Sequence, residues 1–177
     1  MKIQAIELEA TGKPELLIVA EQLLNQLLSG YPNDNFIKSS SFHTLGNIYK
    51  LRNDLETALK YYKEAVDFEK IWPNIKTQAD IDFSDLVVKM NKPEYFDLAE
   101  ELMHKRLEKS LFPLEKYRGY SILAIISQSR GDNTNFERFK KLAEENASKE
   151  TSGLRYHKDL GTVKKRDSWL DRILKKK

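Results

Sequence analysis

Seven residues between positions 42 and 65 constrain this chain more than any other feature of it. Phe42, Leu45, Gly46 and Tyr49 recur at helical spacing, and Ala58, Tyr62 and Ala65 follow at intervals of four and three. Between the two sets lies Arg52-Asn53-Asp54, a polar break. Asp54 can open a second helix by accepting a hydrogen bond from a free backbone N–H. Gly46 and Ala58 are small, so two helix backbones can approach closely there, while Tyr49 and Tyr62 fill the space on either side. The spacing predicts a helix–turn–helix hairpin with Leu45, Gly46, Tyr49, Ala58, Tyr62 and Ala65 in its core.

These residues resemble the tetratricopeptide repeat (TPR), whose pattern is aromatic-x2-Leu-Gly-x2-Tyr, then Ala-x3-aromatic and a later Ala. Phe42 stands in place of the usual Trp, and the clear repeat covers 39–72. Degenerate copies follow the same phase. In the first, at about 1–34, Ala20, Leu24, Leu27 and Pro32 fall at family positions, and the Leu-Gly pair is missing. In the third, at 80–113, Phe83, Leu86, Val87 and Met90 stand for one helix and Ala99 and Met103 for the next. Val87 replaces the Gly and Arg106 the last Ala, which predicts looser or differently angled packing. In the fourth, at 117–147, Tyr120, Leu123 and Ala124 precede a turn at Arg130-Gly131-Asp132, then Phe136 and Ala143. There Phe136 and Lys140 depart from the usual Ala and aromatic. Corresponding positions recur every 38, 41 and 37 residues, against ~34 in the short TPR. The longer period is similar to that of TPR sets in bacterial peptide-sensing regulators and kinesin light chains.

Local signals place the helix ends. A first helix of about Lys2 to Ala10 breaks at Thr11-Gly12-Lys13-Pro14, and Pro14 suits the first turn of the next, which stops at Gly30. Asp34 can cap a helix beginning near Asn35. Pro93 suits another helix start, and Leu111-Phe112-Pro113 separates the third copy from the fourth. Ser148 to Gly153 predicts a loop, and Leu154 to Leu160 a helical turn or two ending at Gly161. From Val163 to Lys177, Val163, Trp169, Leu170, Ile173 and Leu174 share one helical face. Lys164, Lys165, Arg166, Arg172 and Lys175 share the other. The fold expected is all-α: a short right-handed TPR-like solenoid of helical hairpins over 1–150, then a basic segment, 151–177, with a capping helix that covers the last hairpin.

Composition narrows function mainly by exclusion. Charged residues are 32% and hydrophobic residues 40% of the chain, and there is no Cys. That rules out disulfides, thiolate nucleophiles and Cys-bearing zinc sites. The N-terminus lacks the apolar core of a signal peptide, and no apolar run approaches the ~20 residues of a membrane helix. A cytosolic protein is expected. There is no glycine-rich phosphate loop and no His-Glu-x-x-His. His104 lies four residues from Glu100, a spacing that suits a solvated helix face better than a metal site. No catalytic residue, metal or cofactor is expected.

The resemblance implies a partner-binding groove lined by the first helix of each hairpin. Its inward positions are Ser40, His43, Asn47 and Lys50 in the clear repeat, Ser84 and Val88 in the third, and Ser121, Ile125 and Gln128 in the fourth. Asn47 stands where TPR proteins often place an Asn that bonds a peptide backbone, and an amide can serve both N–H and C=O. His43 stands where chaperone-tail binders carry a Lys, and Ser84 and Asp85 bring no positive charge. An apolar or amphipathic peptide therefore fits better than an acidic tail. The function expected is protein or peptide binding as an adaptor, assembly factor or regulatory subunit without catalysis. A peptide-responsive regulator is one alternative, and a groove filled by the chain's own C-terminal helix is another reading. The tail supports a third reading. Residues 151–177 hold nine Lys and Arg against three Asp, a net of +6, which leaves −3 on the preceding 150. Lys164, Lys165, Arg166 and Arg172, with Trp169 and Tyr156 nearby, could hold nucleic acid or rest on an anionic membrane. Trp72 or Trp169 could serve self-association into a homo-oligomer.

Overall fold

A computed structural model gives the structure of residues 1–174, with the side chain of Ile173 left undescribed; Lys175, expected on the basic face of the last helix, lies outside the described residues. Among the described residues the chain is all-helical and has no strand. Its α-helices are α1 (Lys2–Ala10), α2 (Pro14–Gly30), α3 (Asn35–Leu51), α4 (Leu55–Ile71), α5 (Ala79–Lys89), α6 (Phe96–Lys109), α7 (Pro113–Ser129), α8 (Asn133–Ala147) and α9 (Ser168–Leu174), with a 3-10 turn at Pro93–Tyr95. Helices adjacent in sequence pack together as α1 with α2, α3 with α4, and α7 with α8. These pairs are the building block expected of a hairpin solenoid. No helix of the described residues is long and apolar enough to cross a membrane. The chain divides into two compact units, Met1–Leu86 and Val87–Lys177, the division falling inside α5.

In the first unit, the helix starts are set where the local chemistry predicts. Asp34 accepts from the N–H of Ile37 at 3.0 Å and Asp54 from that of Thr57 at 3.1 Å, each satisfying a donor that the helix leaves unpaired. Between α3 and α4, Asn53 takes a left-handed φ of 61°. That closes the turn with a bond from the Asp54 N–H to the Tyr49 carbonyl at 2.9 Å. Leu45, Ala58, Tyr62 and Ala65 are fully buried. The small residue at Gly46 has a specific reason: a β-carbon there would strike the ring of Tyr62. Tyr62 thus lies directly on Gly46.

Tyr49 departs from the expectation that it fills the hairpin core. It is half-buried and turns toward α2, where its hydroxyl donates to Glu21 at 2.5 Å beside Arg52, whose guanidinium donates to the other carboxylate oxygen at 2.6 Å. Its ring stacks on Tyr61 with centroids 5.5 Å apart. Below this polar contact, Leu17, Ala20, Leu24 and Leu27 of α2 form one apolar cluster with Ala5, Leu45 and Ile48.

After α4 the chain is held by a single carboxylate. Glu69 is buried, and its Oε1 accepts from Ser39 Oγ at 2.9 Å, Thr77 N at 2.9 Å and Thr77 Oγ1 at 2.6 Å. The hydroxyl of Thr77 accepts in turn from the N–H of Ala79 at 3.1 Å, at the first residue of α5. A buried carboxylate is tolerable only with such partners.

In the second unit, α6 packs on α7, and α7 packs on α8 and α9. Ala99 and Met103 are fully buried as expected. Arg106, in place of the last Ala of its copy, sends its guanidinium to Glu115 at 2.8 Å, and Ser110 donates to the same carboxylate at 2.7 Å. An ion pair therefore stands where the repeat would have close apolar packing. Gly131 has φ +74° at the turn, and Asp132 caps α8 on the N–H of Asn135 at 3.0 Å.

The C-terminal segment departs from the sequence reading in two ways. Leu154 to Leu160 forms turns and no helix, and the last helix begins only at Ser168, so Val163, Lys164, Lys165 and Arg166 precede it. Polar groups along this path are spent on local turn bonds and on tertiary bonds to α7, α8 and α9. Ser152 Oγ donates to the His157 carbonyl at 3.0 Å, and the Leu114 N–H of α7 donates to the Gly161 carbonyl at 2.8 Å. Arg166 donates to Glu144 of α8 at 2.5 Å and, through Nε, to Asp171 of α9 at 2.9 Å. The Tyr117 hydroxyl donates to Asp171 at 3.2 Å. Leu170 and Leu174 are buried. The expected cover on the last hairpin is present, but most of the covering chain is an ordered loop.

Candidate functional site

On α3, His43, Asn47 and Lys50 lie at intervals of four and three, so they share one face, and all three are half-buried. What makes this face a site is the contribution of three other helices. His43 Nε2 lies 3.0 Å from Asp82 Oδ2 of α5, and Lys50 Nζ lies 3.5 Å from Asp82 Oδ1. Tyr62 of α4 forms the floor. Its hydroxyl donates to Asn47 Oδ1 at 2.7 Å, the His43 ring lies 5.6 Å from its centroid, and the Lys50 ammonium 5.9 Å. From α1, Glu9 takes a side-chain hydrogen bond from Asn47. Burial pushes the Glu9 carboxyl above its ordinary value; the Asn47 bond and His43 pull it back in part, and Asp82 adds to the rise. The result is one continuous polar surface in the first unit with two carboxylates, an imidazole, an amide and an ammonium.

Glu9 and Asp82 were not among the expected residues. A signal for Glu9 was present: the 38-residue spacing between the first two copies makes it the counterpart of Asn47. Asp82 had none, because its role depends on how the start of α5 meets α3.

The other expected residues are distributed less evenly. Ser40 is half-buried and donates back to the Phe36 carbonyl at 2.9 Å, within its own helix. Ser84 and Ser121 are fully buried, and each donates to a carbonyl four residues earlier, Asp80 and Tyr117. Val88 and Ile125 are buried at 5% and 8% exposure, so neither offers a surface to a partner. Gln128 is exposed near the end of α7. The burial along α7 has a plain cause, since α6, α8 and α9 all pack on that helix. Of the basic residues, Lys164, Lys165 and Arg172 are exposed. Arg166 departs from the expectation of a surface cation. The hydrogen bond to Glu144, with further help from Asp171, raises its already high pKa, and its guanidinium sits 5.7 Å from the Tyr117 ring centroid.

Among the described residues, no group of three His, Asp or Glu side chains is placed to hold a metal ion. His104 is exposed 3.9 Å from Glu100, whose carboxylate accepts from Arg130 at 2.6 Å. This is the solvated helix face that its spacing indicates.

No family model matches the chain, and no solved structure is significantly similar to it. Among curated proteins, the chain is similar to the mouse (Mus musculus) E3 ubiquitin-protein ligase TTC3, at 26% identity over 129 residues. The match covers 68% of this chain and 6% of that protein, so the chain spans only a small part of its relative's length. TTC3 is a TPR-containing protein, and together with the paired helices the likeness suggests helical repeats of the TPR kind.

Proposed function

We propose that this chain is a protein- or peptide-binding module with no catalysis of its own, and that its partner docks on the surface made by Glu9, His43, Asn47, Lys50 and Asp82. The observation that carries this reading is the convergence of side chains from α1, α3 and α5 on one face of the first unit. The distant likeness to a TPR-containing protein supports a role in protein interaction. The chemistry of the surface defines the partner further. Each polar group already has an internal hydrogen bond or ion pair, so binding exchanges bonds and does not fill empty ones. That favours an extended peptide whose backbone and polar side chains can take over the partners of Asn47 and Asp82. Because Val88 and Ile125 are buried, the apolar lining that would favour a greasy peptide is missing at those positions.

A displayed random-peptide library selected on the whole chain tests this reading. Peptides should be enriched on the wild type and lose binding to His43→Ala/Asn47→Ala/Lys50→Ala. Equal binding to both proteins, with both folded, would place the docking surface elsewhere.

A further inference from the structure

The C-terminal segment of the second unit carries a surface that docking on the first unit leaves unused. Residues 151–167 are not helical, but their path is fixed. In addition to the bonds to His157 and Gly161 carbonyls, the Ser152 N–H donates to the Lys158 carbonyl at 2.7 Å and Thr162 Oγ1 to the Asp159 carbonyl at 2.8 Å. Together with Leu114, this loop borders an open cavity of about 460 Å³, whose rim includes Tyr156, His157, Lys158 and Lys164. Tyr156 is 80% exposed, and the Arg155 guanidinium lies 5.3 Å from its ring centroid.

The cationic excess at this surface survives once the internal pairs are taken out. Three aspartates interrupt the basic run, at Asp159, Asp167 and Asp171. Asp171 is consumed inside the fold by Arg166 and Tyr117, and Arg166 is consumed with it. Arg155, Lys158, Lys164, Lys165 and Arg172 remain exposed, against exposed Asp159 and half-buried Asp167. An excess of cations beside an open aromatic face and a cavity is the combination that holds unpaired bases: phosphates meet the ammonium groups while a base stacks on the ring. A loop of this kind offers no helix to a duplex groove.

We propose that this surface binds single-stranded nucleic acid, with a base stacked on Tyr156 and the backbone phosphates on Lys158, Lys164 and Lys165. The proposal is independent of docking on the first unit.

Fluorescence anisotropy of a labelled oligouridylate of about 12 nucleotides, titrated with the whole chain at several salt concentrations, tests it. Binding should weaken with salt at a slope of roughly −2 in log–log form for three phosphates. Tyr156→Ala should weaken binding about tenfold and leave the slope in place, because it removes stacking only. Lys164→Glu/Lys165→Glu should weaken binding and flatten the slope. All three positions are exposed, so the thermal melts should match the wild type; Lys158→Glu replaces the double variant if its melt falls. Absence of binding at low salt overturns the proposal. So does binding that Tyr156→Ala leaves unchanged, which would mark a surface for any polyanion. Capture by vesicles rich in phosphatidylserine, with no binding of the oligonucleotide, would assign the surface to a membrane instead.

Discussion

The hydroxyl of Tyr62 donates a 2.7 Å hydrogen bond to Oδ1 of Asn47 while its ring lies against Gly46, so one side chain both closes the hairpin and aims the amide of the proposed docking surface. Tyr62→Phe keeps the ring and removes only the aim. It should cost about 0.5–1.5 kcal/mol in a urea melt, the net worth of one hydrogen bond, and it should weaken peptides selected on the wild type. Stability and binding both equal to wild type would show that the bond does not organise the site.

Gly46 carries opposing effects whose sizes can be compared. Replacing a helix-interior glycine with alanine gains about 1 kcal/mol of helix propensity. The added β-carbon must displace the Tyr62 ring, and overpacking a tight core costs about 1–3 kcal/mol. Gly46→Ala should therefore be neutral to destabilising by about 2 kcal/mol, and Gly46→Leu should be clearly worse. A Gly46→Leu melt that overlays the wild type would remove the close contact.

The Glu21–Tyr49 contact predicts a stability change at both ends of the pH scale. Burial pushes the Glu21 carboxyl up, but hydrogen bonds from Tyr49 and Arg52 outweigh it and leave the group below its ordinary value. Its contribution is therefore full above the unfolded value of about 4.3, and it is lost as pH falls through the folded one. Tyr49 is pushed up to about 12, mainly by its bond to Glu21 and then by burial. Its contribution is full below the unfolded value of about 10 and lost as pH rises through 12. Ultraviolet titration should show late phenols, one removed by Tyr49→Phe. A second, Tyr117, is pushed up to about 12 by burial and by Asp171. If every phenol ionised near 10, these contacts would not persist in solution.

Glu69 should be the most sensitive polar residue of the first unit. Glu69→Ala strands the donors of Ser39 and Thr77, and should cost about 2–4 kcal/mol. Amide exchange should speed up at Thr77 and Ala79, which mark the entry to α5. Glu69→Gln keeps an acceptor in place and should cost about 1 kcal/mol or less. Equal effects of the two variants would mean that the charge, and not the three bonds, holds this connection.

What could be read from the sequence was local or periodic. Asp34 and Asp54 are legible as caps because the donors they satisfy lie three residues away. The small residue at Gly46 is legible because it belongs to a fixed spacing. The proposed docking surface was only half legible. His43, Asn47 and Lys50 follow from the helical period, but Asp82 reaches them from 39 residues beyond His43. Ser84, Val88, Ser121 and Ile125 point inward by phase, but whether such a position meets solvent depends on what packs over it. Arg166 has the same spacing as a surface cation, and its two carboxylate partners come from α8 and α9.

The hydrogen bond from Tyr117 to Asp171 spans 54 residues, whereas the helix pairs around it join sequence neighbours. Contacts between neighbours close small loops and form quickly, and distant ones wait on a larger entropy loss. During synthesis, α7 and α8 can therefore collapse on each other well before residues 166–171 leave the ribosome. Until then the carboxylate of Glu144 lacks its arginine, and the ring of Tyr117 lacks its cover. The nascent hairpin passes through a state with an exposed phenol and an unpaired charge, the kind of surface that a chaperone holds back from aggregation.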